Sequence, residues 1–226
     1  MTLIICRLLA LLALLLLPFT AATAQSATKP TPGYVRVKLE TSMGDIVLAL
    51  DAKRAPKTTA NFLIYVDDGR LDETSFYRAY RSKGDPRLGF VQGGIDTEAR
   101  RIHFPTVPLE TTDQTGIKHL DGTISMARHK EPDSGTGNFS IQIGPNPSLD
   151  ARPGYPGYAA FGQVVAGMDV LKRILAMETC CGRGVMFGQM IQKPVTIIRA
   201  VRLDGTPKPT GGVKPWLMGK RPTATK

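Results

Sequence analysis

The sequence predicts a mainly β domain, a barrel or sandwich of short antiparallel strands with two helices laid against it. Three observations carry that expectation. Apolar and polar residues alternate, the apolar runs are short and bounded by Gly, Pro, Asp and Asn, and only two stretches change to a helical period. No internal repeat is evident.

Of the 226 residues, the first 24 read as a signal peptide. Residues 4–17 are apolar apart from Arg7, Pro18 follows, and Ala22-Thr23-Ala24 has the small-residue spacing of a cleavage site before Gln25. The alternative, a retained anchor, is opposed by a run short for a membrane span and without a second basic flank. Residues 25–33 are polar and proline-bearing and read as a flexible lead-in to one domain over residues 34–204.

In YVRVKLETSMGDIVLALD, Val35, Val37 and Leu39 alternate with Arg36, Lys38 and Glu40, and Ile46, Leu48 and Leu50 alternate again after Met43-Gly44-Asp45. A period of two on both sides of a turn predicts an antiparallel hairpin. Over residues 55–69 the period lengthens. Ala60, Phe62, Leu63 and Val66 share a helical face, Pro56 suits the first turn and Gly69 the stop. Five short runs follow as strands: SFYRAY, GFVQGG, GTISMAR, NFSIQIG and YAAFGQVV. A second helix over residues 168–177 has Val170, Leu171, Ile174 and Leu175 as its apolar stripe, and PVTIIRAVRL supplies a closing strand. Residues 205–226, basic and rich in Pro and Gly, read as a disordered tail with an apolar patch at Trp216-Leu217-Met218.

The formal charge of +10 comes from 29 Lys and Arg against 19 Asp and Glu, dispersed along the chain. Without a basic stripe or interleaved aromatics this does not predict a nucleic-acid partner; solubility or an anionic envelope accounts for it. Beyond the leader only Cys180 and Cys181 remain. A ring closed between neighbouring cysteines is strained, so the reading favoured is two thiols in a loop, with a redox or metal role as the alternative. His103, His119 and His129 are scattered, and HExxH and paired CxxC motifs are absent, so neither a metal nor a cofactor is expected. A hydrolase lacks support, since there is no GxSxG and neither Ser134 nor Ser140 has an assignable base.

One residue is odd for a strand interior. Arg78 lies between aromatics in FYRAY, and a basic loop separates it from Phe90, Gln92 and a double glycine. Taken alone it reads as a strand arginine reaching solvent or a carboxylate. The order of motifs decides otherwise: APKTTANF at 55–62, FYR at 76–78, QGG at 92–94, GTISMAR at 122–128, GNFSIQIG at 137–144 and YAAFGQVVAGMDV at 158–170. In that order and spacing, from Tyr34 to Asp204, the chain resembles the cyclophilin family of peptidyl-prolyl isomerases, in particular its secreted bacterial branch. The resemblance implies a closed eight-stranded antiparallel β-barrel with a helix over each open end, and catalysis of X-Pro rotation without cofactor.

The resemblance also implies roles. Arg78 matches the catalytic arginine. Gln92 matches the glutamine that holds the substrate backbone, with a loop-capping amide as the alternative. Ala127 matches a small groove residue and Tyr158 a hydrogen-bond donor to the substrate carbonyl. Leu149 matches a pocket wall, a core leucine being the equal alternative. Three departures stand out. Ser140 occupies the place of a pocket-floor aromatic, Ser148 that of a variable tryptophan, and the loop after Arg78 is lengthened by SKGDPR, which leaves Phe90 at the position of a methionine, a substrate-binding candidate for the missing aromatic wall. Val91 is expected to face the barrel interior. Replacing an aromatic by serine removes apolar contact and adds a hydroxyl to satisfy, so weaker proline binding is expected.

The expected function is therefore a monomeric peptidyl-prolyl cis-trans isomerase, periplasmic or secreted, acting on proline-containing polypeptides and unfolded exported proteins, with no stable membrane insertion after cleavage near Ala24. The alternative is a catalytically weak proline-peptide-binding chaperone or adaptor of the cell envelope, which Ser140 and the altered loop favour.

Overall fold

A computed structural model describes residues 31–95 and 103–212. The proposed signal peptide, Cys6 and the Trp216-Leu217-Met218 patch lie outside the described residues.

The alternation read at the start of the domain forms β1 (Tyr34–Thr41) and β2 (Gly44–Asp51), an antiparallel pair with Val37 opposite Leu48 and Leu39 opposite Ile46. These four side chains are fully buried. The five apolar runs form β3 (Thr74–Arg81), β4 (Gly89–Gly94), β5 (Thr123–Met126), β6 (Phe139–Ile143) and β7 (Ala160–Ala166). A two-residue β8 (Thr179–Cys180) precedes the long β9 (Met190–Arg202). The strands run in the order β1-β2-β7-β5-β6-β4-β3-β9, and β9 pairs back onto β1, so eight antiparallel strands close into a barrel. β8 adds only a short flap, with Thr179 opposite Ile191. Closure removes the open edges that a sheet of short strands would otherwise present.

Helix α1 (Pro56–Asp67) follows β2 directly, and α3 (Met168–Leu175) packs by the β1–β2 turn, where Arg173 donates to the Met43 carbonyl at 2.9 Å. The two helices therefore stand at opposite ends of one hairpin and cover opposite mouths of the barrel. The stripe Val170, Leu171, Ile174 and Leu175 is buried as expected. The α1 stripe needs a correction. Phe62, Leu63 and Val66 are buried but Ala60 is exposed, and Thr58, Thr59 and Asn61 face inward instead. They are admitted by hydrogen bonds: Thr59 Oγ1 to the Asp51 carbonyl at 3.2 Å, Asn61 Nδ2 to the Thr136 carbonyl at 2.6 Å. The start of α1 has no side-chain cap of its own. Glu110 supplies one from a distant loop, accepting from the amides of Lys57 at 3.0 Å and Thr58 at 2.7 Å. A one-turn α2 (Thr112–Thr115), not expected from the sequence, follows that loop.

Phe62 enters the barrel mouth and meets Phe139 edge-on, centroids 5.4 Å apart, and Phe161 at 5.5 Å; Phe76 meets Phe139 from the other side at 5.7 Å. Such pairs contribute roughly 0.5–1.5 kcal/mol each beyond the area they bury. Because Phe139 points inward, the period of two turns Ser140 to the outer face. Val91 is fully buried, as read from the sequence.

Two further readings are revised. Cys180 and Cys181 are joined in a disulfide. The expectation of two thiols assumed an ordinary chain path; Cys181 takes φ 51°, and this turn brings the sulfurs together. The tail is held at its beginning. The amides of Lys208 and Thr210 donate to Asp67 at 2.9 Å and to Asp68 at 2.6 Å, and residues 213–226 lie outside the described residues.

The double glycine after Gln92 has a steric cause. A Cβ on Gly94, at φ 130°, would sit 2.5 Å from the Gly137 carbonyl oxygen, whereas one on Gly116, at φ 69°, would meet nothing within 4 Å. Gly116→Ala should cost about 1–2 kcal/mol, for its left-handed backbone alone. Gly94→Ala should cost roughly 2–4 kcal/mol, strain and collision together. Urea titrations of the two variants check this, and equal losses would show that close packing at Gly94 is not limiting.

Candidate active site

Simple alternation along TSFYRAYR would put Phe76, Arg78 and Tyr80 on one face. The observed register does not. Phe76 pairs with Gly93 and Arg78 with Gln92, so Tyr77 has no opposite residue and β3 carries a bulge there. A bulge inserts one residue and reverses the faces beyond it. Phe76 stays in the core, Ala79 returns to it, and Arg78 is delivered to the outer face.

There the guanidinium is gripped on two sides. Nη1 donates to Gln92 Oε1 at 2.9 Å, while Nε and Nη2 both donate to Gln189 Oε1, at 2.9 and 2.7 Å. Nη2 also reaches the Val185 carbonyl at 3.4 Å. The Phe90 ring lies beside it, with the guanidinium carbon 5.0 Å from the ring centroid, and stacks in turn on Tyr80 at 5.2 Å. Every hydrogen-bond acceptor is neutral. Burial lowers the pKa of Arg78 from the ordinary arginine value, with Tyr77, Tyr158 and Tyr80 acting in the other direction. An arginine so placed remains a cation. Of its five N–H donors, one on Nη1 is left over among the described residues, available to a ligand.

Gln92 is buried, and its amide is committed at both ends: Oε1 to Arg78, Nε2 to the Tyr77 hydroxyl at 2.9 Å. The bulge residue thus orients the glutamine that orients the arginine. Across the sheet Gln92 pairs with Ser140, and Ser140 with Ser125. Gln142 Nε2 donates to Ser140 Oγ at 3.2 Å, so a buried amide lies against the serine where the resemblance expects an aromatic floor. Phe90 instead contacts Arg78 and Tyr80.

The far wall is built by two segments stitched together. Tyr158 N donates to the Leu149 carbonyl at 3.0 Å, and Ala127 N to the Asn138 carbonyl at 2.9 Å. Arg128 lies over the Tyr158 ring at 4.6 Å and donates to the Gly157 carbonyl, through Nε at 2.9 Å and Nη2 at 2.7 Å. Leu149 is half-buried on a 3-10 turn, outside the hydrophobic core. A recess of about 240 Å³ opens beside Gln92 and Ala127, with Thr136, Met186 and Met190 among its walls. Sequence reading missed Gln189, Tyr77, Gln142 and Arg128. Tyr77 in FYR, Arg128 in GTISMAR and Gln142 in GNFSIQIG lay inside motifs that signalled the site, whereas Gln189 lay in none.

Behind this wall runs a line resembling a nucleophilic triad. His119 sits between Asp150, 2.8 Å from Nδ1, and Ser125, 2.8 Å from Nε2. Ser125 and His119 are each 1% exposed, and Ser125 Oγ also lies 3.3 Å from the Ala159 carbonyl. No substrate atom can reach the hydroxyl, so the line is a structural tie between β5 and the Leu149 turn.

Comparison with known proteins agrees with this geometry. The family model for cyclophilin type peptidyl-prolyl cis-trans isomerase/CLD matches residues 36–202. Peptidyl-prolyl cis-trans isomerase A of Dickeya dadantii (strain 3937) is 37% identical over 163 residues, 70% of this chain and 82% of the relative. Peptidyl-prolyl cis-trans isomerase B of Escherichia coli (strain K12) is 34% identical over 173 residues, 74% of this chain and 99% of the relative. In fold, the chain is similar to the crystal structure of a cyclophilin type isomerase from Cryptosporidium parvum, with a TM-score of 0.57 at 20% identity, covering 76% of this chain and 99% of that one.

The buried histidine sets a pH dependence. Burial pushes the His119 imidazole below its ordinary value of 6.5, and the opposing pull of Asp150 does not restore it. The unfolded chain therefore binds a proton near pH 6.5 that the folded chain refuses until lower pH. Stability from this group is complete above about 6.5 and declines as pH falls from there toward the folded value. Urea midpoints between pH 7.5 and 5.5 should fall for the wild type and stay nearly level for His119→Gln. Parallel declines would rule the histidine out as the source.

Proposed function

The chain belongs to the cyclophilin-type peptidyl-prolyl cis-trans isomerase family, and on that premise we propose that Arg78 is the catalytic residue of an isomerase serving the folding of exported proteins. Rotation about an X-Pro amide is slow because resonance stiffens the C–N bond, with a barrier of about 18–20 kcal/mol. In the twisted state the proline nitrogen regains its lone pair and becomes a better acceptor. No nucleophile is required. A donor preorganised for that nitrogen stabilises the twisted state over either planar one, which lowers the barrier.

The observation that carries the reading is the grip on Arg78: a cation held from two sides by Gln92 and Gln189, with one Nη1 donor left toward the outer face. The extended peptide lies along the groove past Ala127, the proline ring over Ser140 between Phe90 and Leu149. Tyr158 donates to a substrate carbonyl. The leader pattern of residues 1–24 supports export to the periplasm or beyond, with unfolded exported chains as clients and the protein itself monomeric.

One observation favours a second reading, a binding module with little catalysis. The proposed floor is polar, Ser140 backed by Gln142 at 3.2 Å, and gives a proline ring little apolar surface.

Kinetics on a proline test peptide separate the two. The protein starting at Gln25 should accelerate isomerisation, and Arg78→Ala should lower kcat/KM by about 10²–10³-fold, the usual cost of one preorganised donor. Ser140→Phe should lower KM by roughly ten- to a hundredfold, since a buried aromatic contributes about 1.5–3 kcal/mol. Peptide binding seen at Arg78 and Gln92 by NMR, without acceleration, would instead establish the binding module. Export is checked by fractionating cells that express the full chain: the protein should be periplasmic or extracellular and begin at Gln25, and a cytosolic protein retaining Met1 would refute it.

A further inference from the structure

We propose that Gln189 is a positioning residue for the isomerisation, fixing the Arg78 guanidinium through a two-point acceptor while leaving its charge uncancelled. The inference rests on the reading of Arg78 as the catalytic group and names what holds that group in place.

The grip is built with little freedom. Gln189 Oε1 accepts from Nε and Nη2 of Arg78, at 2.9 and 2.7 Å, which fixes both the direction and the roll of the planar fork. The amide cannot turn over at equal cost, because its Nε2 donates to the Val185 carbonyl at 2.8 Å. The backbone is tied as well: Gln189 N donates to the Met186 carbonyl at 3.0 Å, and the Gln189 carbonyl accepts from Ala79 N, next to Arg78, at 3.0 Å. The loop that presents it is closed at its base, where Gly188 N meets the Cys181 carbonyl beside the Cys180–Cys181 bond. Its entry is held by Arg81, which donates to the Leu175 and Met177 carbonyls at 2.9 and 2.8 Å and to Thr179 Oγ1 at 2.8 Å.

The chemical choice of an amide matters. Arg36 and Arg202, half-buried, and the buried Arg70 sit on Asp204, Asp67 and Asp68. A carboxylate gives the stronger grip and is the ordinary partner of a guanidinium. It also offsets the charge. Arg78 has amide and carbonyl oxygens only, so orientation is secured without weakening the field offered to a developing lone pair. Without Gln189, the Gln92 contact and the long 3.4 Å reach to the Val185 carbonyl remain, and the fork is free to swing about Nη1.

The test combines isomerisation kinetics on a proline peptide with the NMR cross-peak of the Arg78 Nε–Hε group, assigned by its loss in Arg78→Lys. Gln189→Ala should lower kcat by about tenfold, the cost of a misplaced catalytic group, with KM little changed and the cross-peak broadened by exchange. Gln189→Glu, the same shape and thus safe for folding, should keep a sharp cross-peak yet also lose kcat, because the fork is held but its charge is offset. The proposal is overturned by wild-type kcat in Gln189→Ala, by a loss of kcat in Gln189→Ala with the cross-peak unchanged, or by wild-type kcat in Gln189→Glu. Activity retained in Arg78→Ala would overturn the underlying reading of Arg78. An inactive Arg78→Ala beside a fully active Gln189→Ala would overturn only the role of Gln189.

Discussion

Strand β9 closes the barrel, and everything else about the site depends on that closure. It pairs with β1 from Val37 opposite Arg202 to Thr41 opposite Ile197, and with β3 from Thr74 opposite Ile197 to Arg78 opposite Met190. A closed sheet has no free edge along which a strand can slip, so each residue's face is fixed by its neighbours on both sides. The inner face is filled by Phe62, Phe76, Phe139 and Phe161. That leaves the outer face at liberty to carry polar chemistry. The pairing is irregular at one point of the β3–β9 ladder, where β3 advances from Phe76 to Arg78 while β9 runs from Val195 back to Met190. The guanidinium stands at this interruption. The closed pairing of the remaining strands, which carry their own register shifts at Glu40/Thr41, Val47/Leu48 and Ile124/Ser125, holds such an interruption in shape.

What could be read from the sequence follows from which forces act locally. The β1–β2 alternation, the α3 stripe and the five apolar runs were legible because burial of alternate or helical positions is a property of neighbouring residues. The α1 stripe failed at Ala60 because Thr59 and Asn61 are buried by hydrogen bonds to Asp51 and Thr136, partners on other elements. The face of Arg78 was hidden for a related reason: a bulge at Tyr77 is set by the pairing of β3 with β4, not by the composition of FYR. Arg78, Gln92 and Ser140 were singled out because motif order marks them, and Phe90 by its count back from Gln92. Gln189 lies 111 positions from Arg78 in a loop with no pattern of its own, and nothing in the sequence ties the two together. The cysteine pair was misread because the left-handed turn at Cys181 is imposed by the loop around it.

The polar floor and the neutral grip bear on one another. A wholly apolar pocket lowers the local dielectric and strengthens whatever field a charge exerts, but it raises the cost of keeping an unpaired cation there. Among the described residues Arg78 has no carboxylate to share that cost, and its burial already works against its charged form. The outer face answers with amide and carbonyl oxygens: Gln92, Gln189 and the Val185 carbonyl, with the Tyr77 hydroxyl fixing Gln92 behind them. These oriented dipoles solvate the guanidinium in place of water without bringing an opposing charge. Serine at position 140 then has a reason beyond the loss of an aromatic. On the proposed reading of the groove it gives up contact with a proline ring, and it keeps a hydroxyl on the strand residue directly opposite Gln92. The two effects act on different quantities. Contact area is felt by a planar proline and a twisted one alike, so its loss falls on binding, whereas the field from Arg78 is felt most by the twisted amide, so its preservation falls on turnover.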